Sequence, residues 1–299
     1  MQTKRMGDVT IDRVGEIDRY LFAPQDLLPG LDHRTVERYR SILGPRLVDF
    51  ETNKLIISFH SYVIRLPGRT ILVDTCNGNH KERPGKPWQH MHESPAYLSN
   101  LAKIGVRPED VDVVLCTHLH GDHVGWNTRL SGGRWVPTFP NARYLMSRRD
   151  YEHFSALTEG PPEARRPAAA FADSVLPIIE AGRAELIDVP AQAHPHLDDR
   201  VWLEPSPGHT PGHMTVHVRG GAARAVLVGD VIHHPIQFHE PDLSNNGDVD
   251  PVQARHTRER LLQLSSETHA LFLTAHFPAP TAGHVRAIGD RFTFEFDAT

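Results

Sequence analysis

The short apolar run VDVVLC (111–116) leads straight into THLHGDHVGW (117–126), and this junction constrains the fold more than any other stretch of the chain. A run that short and that apolar reads as a strand covered on both faces, deep inside a sheet. Three histidines and an aspartate then fall between positions 118 and 123. In an extended segment, residues two apart point to the same side, so His118 and His120 can face one ion. Gly121 permits a tight turn. The adjacent Asp122 and His123 diverge in direction and are better placed to serve a second centre. The bland alternative is a polar loop in a chain that carries 21 histidines. The placement of the other histidines decides between the two.

Three further islands carry the same chemistry. PSPGHTPGH (205–213) sets His209 in a loop after a strand, braced by Gly208 and Pro211. AVLVGD (225–230) ends an apolar strand on Asp230, and a carboxylate buried there needs a partner. ALFLTAH (270–276) ends another such strand on His276. Singly, His209 and His276 read equally well as core or surface histidines. Together the four islands offer five histidines and two aspartates, enough for two ions.

Elsewhere the punctuation is ordinary. Residues 1–50 read as an irregular arm holding a short helix over 32–43, ended by Gly44-Pro45. LIISFHSYVIRL (55–66) and TILVDTC (70–76) form a hairpin pattern around LPGR. SPAYLSNLAKIG (94–105) reads as a helix with Ser94 as cap, Pro95 in the first turn and Gly105 at its end. ARYLMS (142–147) reads as a strand before a helix beginning RRDYEHF. EGPPEARRPAAAF (159–171) reads as a loop or an edge insertion, and FADSVLPIIEAG as helical. AELIDV, VWLEP, TVHVR and AVLVGDV are short strands. Asp250-Pro251 opens a helix to about Ser266, and ALFLTAH is the last clear strand. A sheet-on-sheet core with helices outside is the natural packing.

Composition excludes several function classes. The formal net charge is −5, with no long run of Lys or Arg, so nucleic acid is not an expected partner. No segment approaches the apolar length of a membrane span, and no signal-peptide core is visible, so a cytoplasmic protein with no membrane partner is expected. Cys76 and Cys116, the two cysteines of the chain, read as buried thiols. No G-x-S-x-G elbow suggests a serine nucleophile.

From TILVDTC through THLHGDHVG, PGHTPGH and VLVGD to LTAHF, the sequence resembles the metallo-β-lactamase superfamily. The resemblance implies an α+β fold, a four-layer αββα sandwich, and the chain reads as a single domain over 1–299 whose 1–50 arm is a candidate lid or homodimer contact. It implies two divalent ions per chain, zinc first and manganese, cobalt or iron as alternatives. His118, His120 and His209 would hold the first ion. Asp122, His123 and His276 would hold the second, with Asp230 and a hydroxide bridging. Two ions about 3.5–4 Å apart lower the pKa of a shared water towards about 7 and polarise the substrate's carbonyl or phosphoryl oxygen. Asp74, ending the strand TILVD, reads either as the group that orients a ligand histidine or as a turn cap.

Within the superfamily, RWVPTFPNARYLMSRRDYEHF, GDVIHHPIQF and LTAHFPAPTAGH are similar to the branch of acyl-homoserine lactonases and methyl parathion hydrolase. Lactonases of that branch typically place a tyrosine three residues after the bridging aspartate, where this chain has His233. His233 can donate a hydrogen bond to a developing oxyanion or leaving oxygen, and His234 competes for the role. Catalysis thus falls to Asp122, Asp230 and His233. Trp126, Phe238, Phe277 and Phe22 are candidate walls of an apolar pocket. His213, His60, His217 and His284 read as structural or surface imidazoles, and His80, His90 and His92 as part of a solvated loop. The expected reaction is cleavage of a small neutral lactone or carboxylic ester, with a phosphotriester as the alternative. Redox (persulfide dioxygenase-like) and nuclease members of the superfamily are the remaining alternatives.

Overall fold

The structure is a computed structural model, and it describes residues 3–161, 168–289 and 291–297. It divides into two compact units: residues 1–16 with 59–189, and residues 17–58 with 190–299. The boundary falls inside two long strands, β2 (Val9–Phe22) and β4 (Lys54–Leu66).

In the first unit the sheet order is β1-β2-β4-β5-β6-β9-β10, with β1 at Thr3–Met6, β5 at Arg69–Val73, β6 at Val113–Leu115, β9 at Arg143–Ser147 and β10 at Ala184–Ile187. Strand β4 turns into β5 through Pro67-Gly68, with Leu66 opposite Arg69. The VDVVLC run yields the three-residue β6, paired in parallel with β5 on one side and β9 on the other. All three of its residues are buried. Helices Ala96–Lys103 and Arg148–Glu159 carry the stripes that cover this sheet, with Tyr97, Leu101 and Phe154 in its core cluster. FADSV forms one wide π turn that runs into the helix Leu176–Glu180. Of the 159–171 stretch, residues 162–167 lie outside the described residues.

The second unit contains a sheet in sequential order, β11 to β17: His196–Asp198, Val201–Pro205, Met214–Gly220, Ala223–Leu227, Leu271–Leu273, Ala282–Ile288 and Arg291–Phe296. Strands β14 and β15 are parallel and the other neighbours antiparallel. The helix Pro251–Thr268 is capped by Asp250, whose carboxylate accepts the Gln253 N–H.

Three expectations change. The first fifty residues are not an irregular arm: β1 and β2 pair as sheet strands, and Val48–Asp49 (β3) pairs with the start of β4. Charge within β2 hid it, because Asp12 is buried against the Arg65 guanidinium at 2.7 Å rather than solvated. The helix over 32–43 is two, His33–Arg38 and Arg40–Leu47, broken at Tyr39. Gly44, at φ 64°, leaves the helical conformation, so the helix ends there as expected, and a further short turn follows to Leu47. After ALFLTAH, one more hairpin follows, β16–β17. No helix among the described residues is long and apolar enough to cross a membrane.

Candidate metal centre

In the first unit, parallel register builds the histidine turn. Val73 stands opposite Leu115, so Asp74 and Thr117 emerge side by side where β5 and β6 end. Asp74 takes a left-handed φ of 59° and turns its carboxylate on the turn. One oxygen accepts the Thr117 N–H at 2.7 Å; the other accepts the Thr117 hydroxyl at 2.8 Å and His123 Nδ1–H at 2.9 Å. Since the Thr117 hydroxyl proton goes to Asp74, its oxygen is left to accept from His118 Nδ1, 3.1 Å away. Both imidazoles therefore carry their proton on Nδ1 and a lone pair on Nε2. His118 Nε2 lies 3.1 Å from His120 Nδ1, and the rings of His118 and His123 are 4.0 Å apart. Asp122 accepts from Gln89 Nε2 on Oδ1 at 3.0 Å, and its Oδ2 is 3.9 Å from His123 Nε2.

The turn is braced from behind. The backbone of 75–78 lies against that of 123–126, through Thr75 N–H to the His123 carbonyl and Gly125 N–H to the Cys76 carbonyl. A Cβ at Gly125 would come 1.8 Å from the Asn77 carbonyl oxygen, so only glycine fits. Glu16, from β2, accepts from Asn77 N–H, Asn77 Nδ2, Gly78 N–H and Trp126 Nε1. Burial raises its pKa against those four hydrogen bonds.

In the second unit, register again sets the ligands. Leu227 of β14 stands opposite Leu273 of β15, and Asp230 and His276 each follow three residues later. His209 sits in the loop after β12, where Gly208 (φ 132°) lies against the first turn of Pro251–Thr268; a Cβ there would meet Ala254 N at 2.2 Å. Around Asp230, His209 Nε2 is 3.2 Å from one oxygen, His233 Nε2 3.1 Å from the same oxygen, and His276 Nε2 3.0 Å from the other. His209 Nδ1 donates to Asp248 at 2.7 Å and His276 Nδ1 to the Ser58 carbonyl at 3.1 Å. Their Nε2 atoms thus face a carboxylate. Burial disfavours a charged His209, but Asp230 and Asp248 outweigh it and push its pKa up to about 9. A nest of lone pairs and carboxylate that draws a proton so strongly is chemically suited to a divalent cation.

His233 and His234 differ sharply. His234 spends both ring nitrogens on backbone, Nε2 on the Leu47 carbonyl at 2.9 Å and Nδ1 on the Ile236 N–H at 3.3 Å. Burial lowers its pKa to about 4. His233 faces Asp230, and its Nδ1 is buried without a hydrogen-bond partner among the described residues. His213 bridges Ser206 Oγ and the Asp230 N–H, a structural placement.

The four aromatics read as pocket walls pack as core residues. Trp126 stacks on Tyr97 with centroids 5.6 Å apart, and Phe238 and Phe277 belong to one buried cluster with Phe272. Phe22 is buried beside Tyr20 at the end of β2. Phe238 also lines a surface cleft of about 420 Å³ with Arg258, Leu262 and Phe292. Asp248 and Gln89 went unread in the sequence. Asp248 sits two residues before a helix cap of the same type, and Gln89 lies in a loop with no periodicity; neither carries a local signal. In that loop the polar pattern inverts. Lys81, Arg83 and Gln89 are buried while His90 is exposed. Cys76 and Cys116 are free and buried.

Residues 60–276 match the family model described as the metallo-beta-lactamase superfamily. The chain belongs to the metallo-β-lactamase superfamily. Among this superfamily member's relatives is the N-acyl homoserine lactonase AttM of Azorhizobium caulinodans, 26% identical over 64% of this chain and 67% of that protein. An N-acyl homoserine lactonase from Bacillus sp is 27% identical over 56% of this chain and 60% of its own length. AiiA of Bacillus thuringiensis subsp. kurstaki is 24% identical over 72% and 79%. Solved structures share the fold across the whole chain. The hydrolase AbOPH of the β-lactamase superfamily has a TM-score of 0.80 at 22% identity, covering 99% of this chain and 97% of its own. AidC, a dizinc quorum-quenching lactonase, has a TM-score of 0.78 at 20% identity, covering 100% and 97%. The mixed fold of two sheets and helices is therefore that of the metallo-β-lactamase superfamily.

Proposed function

We propose that the chain is a dinuclear metal-dependent hydrolase that opens a lactone, with N-acyl homoserine lactones or related carboxylic esters as substrates. The observation that carries this reading is the gathering of His209, His233 and His276 Nε2 around the single carboxylate of Asp230, in a chain whose relatives are named lactonases. In this reading His118, His120 and His209 would hold one ion, Asp122, His123 and His276 would hold the other, and Asp230 would serve both. Zinc suits the mixed nitrogen and oxygen donors. When bound, such a pair supplies an activated water and polarises the ester carbonyl.

The chain's own residues do the rest. Asp74, Asp248, the Thr117 hydroxyl and the Ser58 carbonyl each hold a ligand histidine's proton on Nδ1, which keeps the coordinating nitrogen basic and aimed. His233 takes the place of the tyrosine typical of the lactonases. Burial lowers its pKa and favours the neutral imidazole, able to donate one hydrogen bond to the leaving oxygen as the ring opens.

The test is protein stripped with a chelator and reloaded with zinc, assayed on N-hexanoyl homoserine lactone, an aryl acetate and paraoxon. Lactone hydrolysis at about two ions per chain is expected. Full activity at one ion, or paraoxon turnover without lactone turnover, overturns the assignment. His233→Leu, which removes the donor, is expected to lower kcat on the order of 10²-fold with metal content unchanged.

A further inference from the structure

The segment 79–92 supplies a part of the site that the ligand motifs do not announce. Lys81 and Arg83 fasten it from within the first unit. Arg83 grips Asp173 with two hydrogen bonds of 2.7 Å, and Lys81 Nζ donates to Thr128 Oγ1 at 2.6 Å and the Asp173 carbonyl at 3.1 Å. Further along, Met91 N–H returns to the Lys81 carbonyl and Arg83 N–H to His90 Nδ1, closing the segment on itself. Gln89 is thereby carried to the histidine turn, where it is 2% exposed. Its Nε2 donates to Asp122 Oδ1 at 3.0 Å, and its Oε1 is buried with no hydrogen-bond partner among the described residues. The amide has one chemically acceptable orientation, because flipping it would set a carbonyl oxygen against a carboxylate. An apolar residue would fill the same space without leaving an acceptor unsatisfied, so packing alone does not account for an amide here. The space is also closed below. A Cβ at Gly121 would lie 2.9 Å from Gln89 Oε1 and 3.3 Å from Arg83 Nε.

We infer that Gln89 is a positioning residue for Asp122: it engages Oδ1 and so commits Oδ2 as the oxygen presented to the second ion. The inference rests on the two-ion reading above. It also gives the 79–92 segment a task, as the strut that holds one carboxylate in one rotamer.

The experiment uses the full chain, stripped of metal and titrated with Zn²⁺ against a chromophoric chelator. The wild type should show two binding events. Gln89→Leu and the isosteric Gln89→Glu, which lacks the donor, should each weaken one event by about 10–100-fold and leave the other within about twofold. In an Asp122→Asn background, Gln89→Leu should add nothing further, because the two changes act through one contact. Thermal melts of the metal-free variants separate this selective loss from a general loosening of the fold. Two wild-type events with both affinities unchanged in the variants, both weakened alike, or additive effects with Asp122→Asn would overturn the inference alone. A wild type that takes fewer than two ions would overturn the two-ion reading and this inference with it.

Discussion

The ligand groups of the two units are assembled by different means. In the first, four candidate ligands come from six consecutive positions, and one carboxylate, Asp74, holds both the backbone entry to the turn and His123. In the second, His209, Asp230 and His276 come from three separate connections, and only strand register and a helix start bring them together. The local group depends on a turn that the backbone behind it forces into shape. The dispersed group depends on the whole sheet being formed. Damage to the turn or its backbone brace should therefore cost stability along with the site, whereas loss of the Asp230 charge, at a position the sheet already sets, should cost the site and spare the fold.

The predictions test that contrast, from the largest effect downward. Asp230→Asn should reduce lactone turnover on the order of 10³-fold or more while far-UV circular dichroism stays unchanged, since it removes charge at the one carboxylate three imidazoles face. Turnover near the wild-type level would break the comparison at its centre. Gly125→Ala should destabilise the first unit by about 3 kcal/mol or more in urea titration, because its methyl has no space beside the Asn77 carbonyl. Asp248→Asn and Asp74→Asn should each weaken zinc binding by about 10–100-fold. Both should also lower the melting temperature of metal-free protein, because Asp74 holds the Thr117 N–H and Asp248 the Asn245 N–H besides their histidines; Asp74→Asn should lower it more, since Asp74 takes the Thr117 hydroxyl as well.

Taken per pH unit, the smallest effect belongs to Lys81. Burial drives its pKa down to about 7, against the pull of Asp173 and with the help of Arg83. Above pH 7 the folded chain then sheds a proton that the unfolded chain keeps until its pKa near 10.4. The unfolded state binds more protons across that window, so stability attributable to Lys81 should rise with pH, by at most about 1.4 kcal/mol per unit. Subtracting the urea stability of Lys81→Met from that of the wild type between pH 7 and 10 isolates the slope. A flat difference would mean that Asp173 and the Trp135 ring, 3.6 Å from the ammonium, keep it charged.

The contrast also explains what could be read beforehand. The turn at 118–123 announces itself because its ligands are neighbours in the chain. The dispersed group was readable because each member closes an apolar run or sits among glycines and prolines. What escaped is polar and buried through long-range pairing. Asp12 lies in a segment that reads as an irregular arm, yet it pairs with Arg65 inside a sheet. Gln89, Asp248 and Glu16 lie in segments whose local pattern is that of solvent-exposed chain. The final hairpin was legible in principle, since Phe292, Phe294 and Phe296 alternate, but they lie beyond the last motif that drew attention.

The four hydrogen bonds gathered by Glu16 bear on how this protein should be handled at the bench. A chain trimmed at its amino end beyond that position would keep every candidate ligand and still lose the peg behind the histidine turn. A feeble preparation of that kind would report on where the gene was cut, and would say nothing against the chemistry.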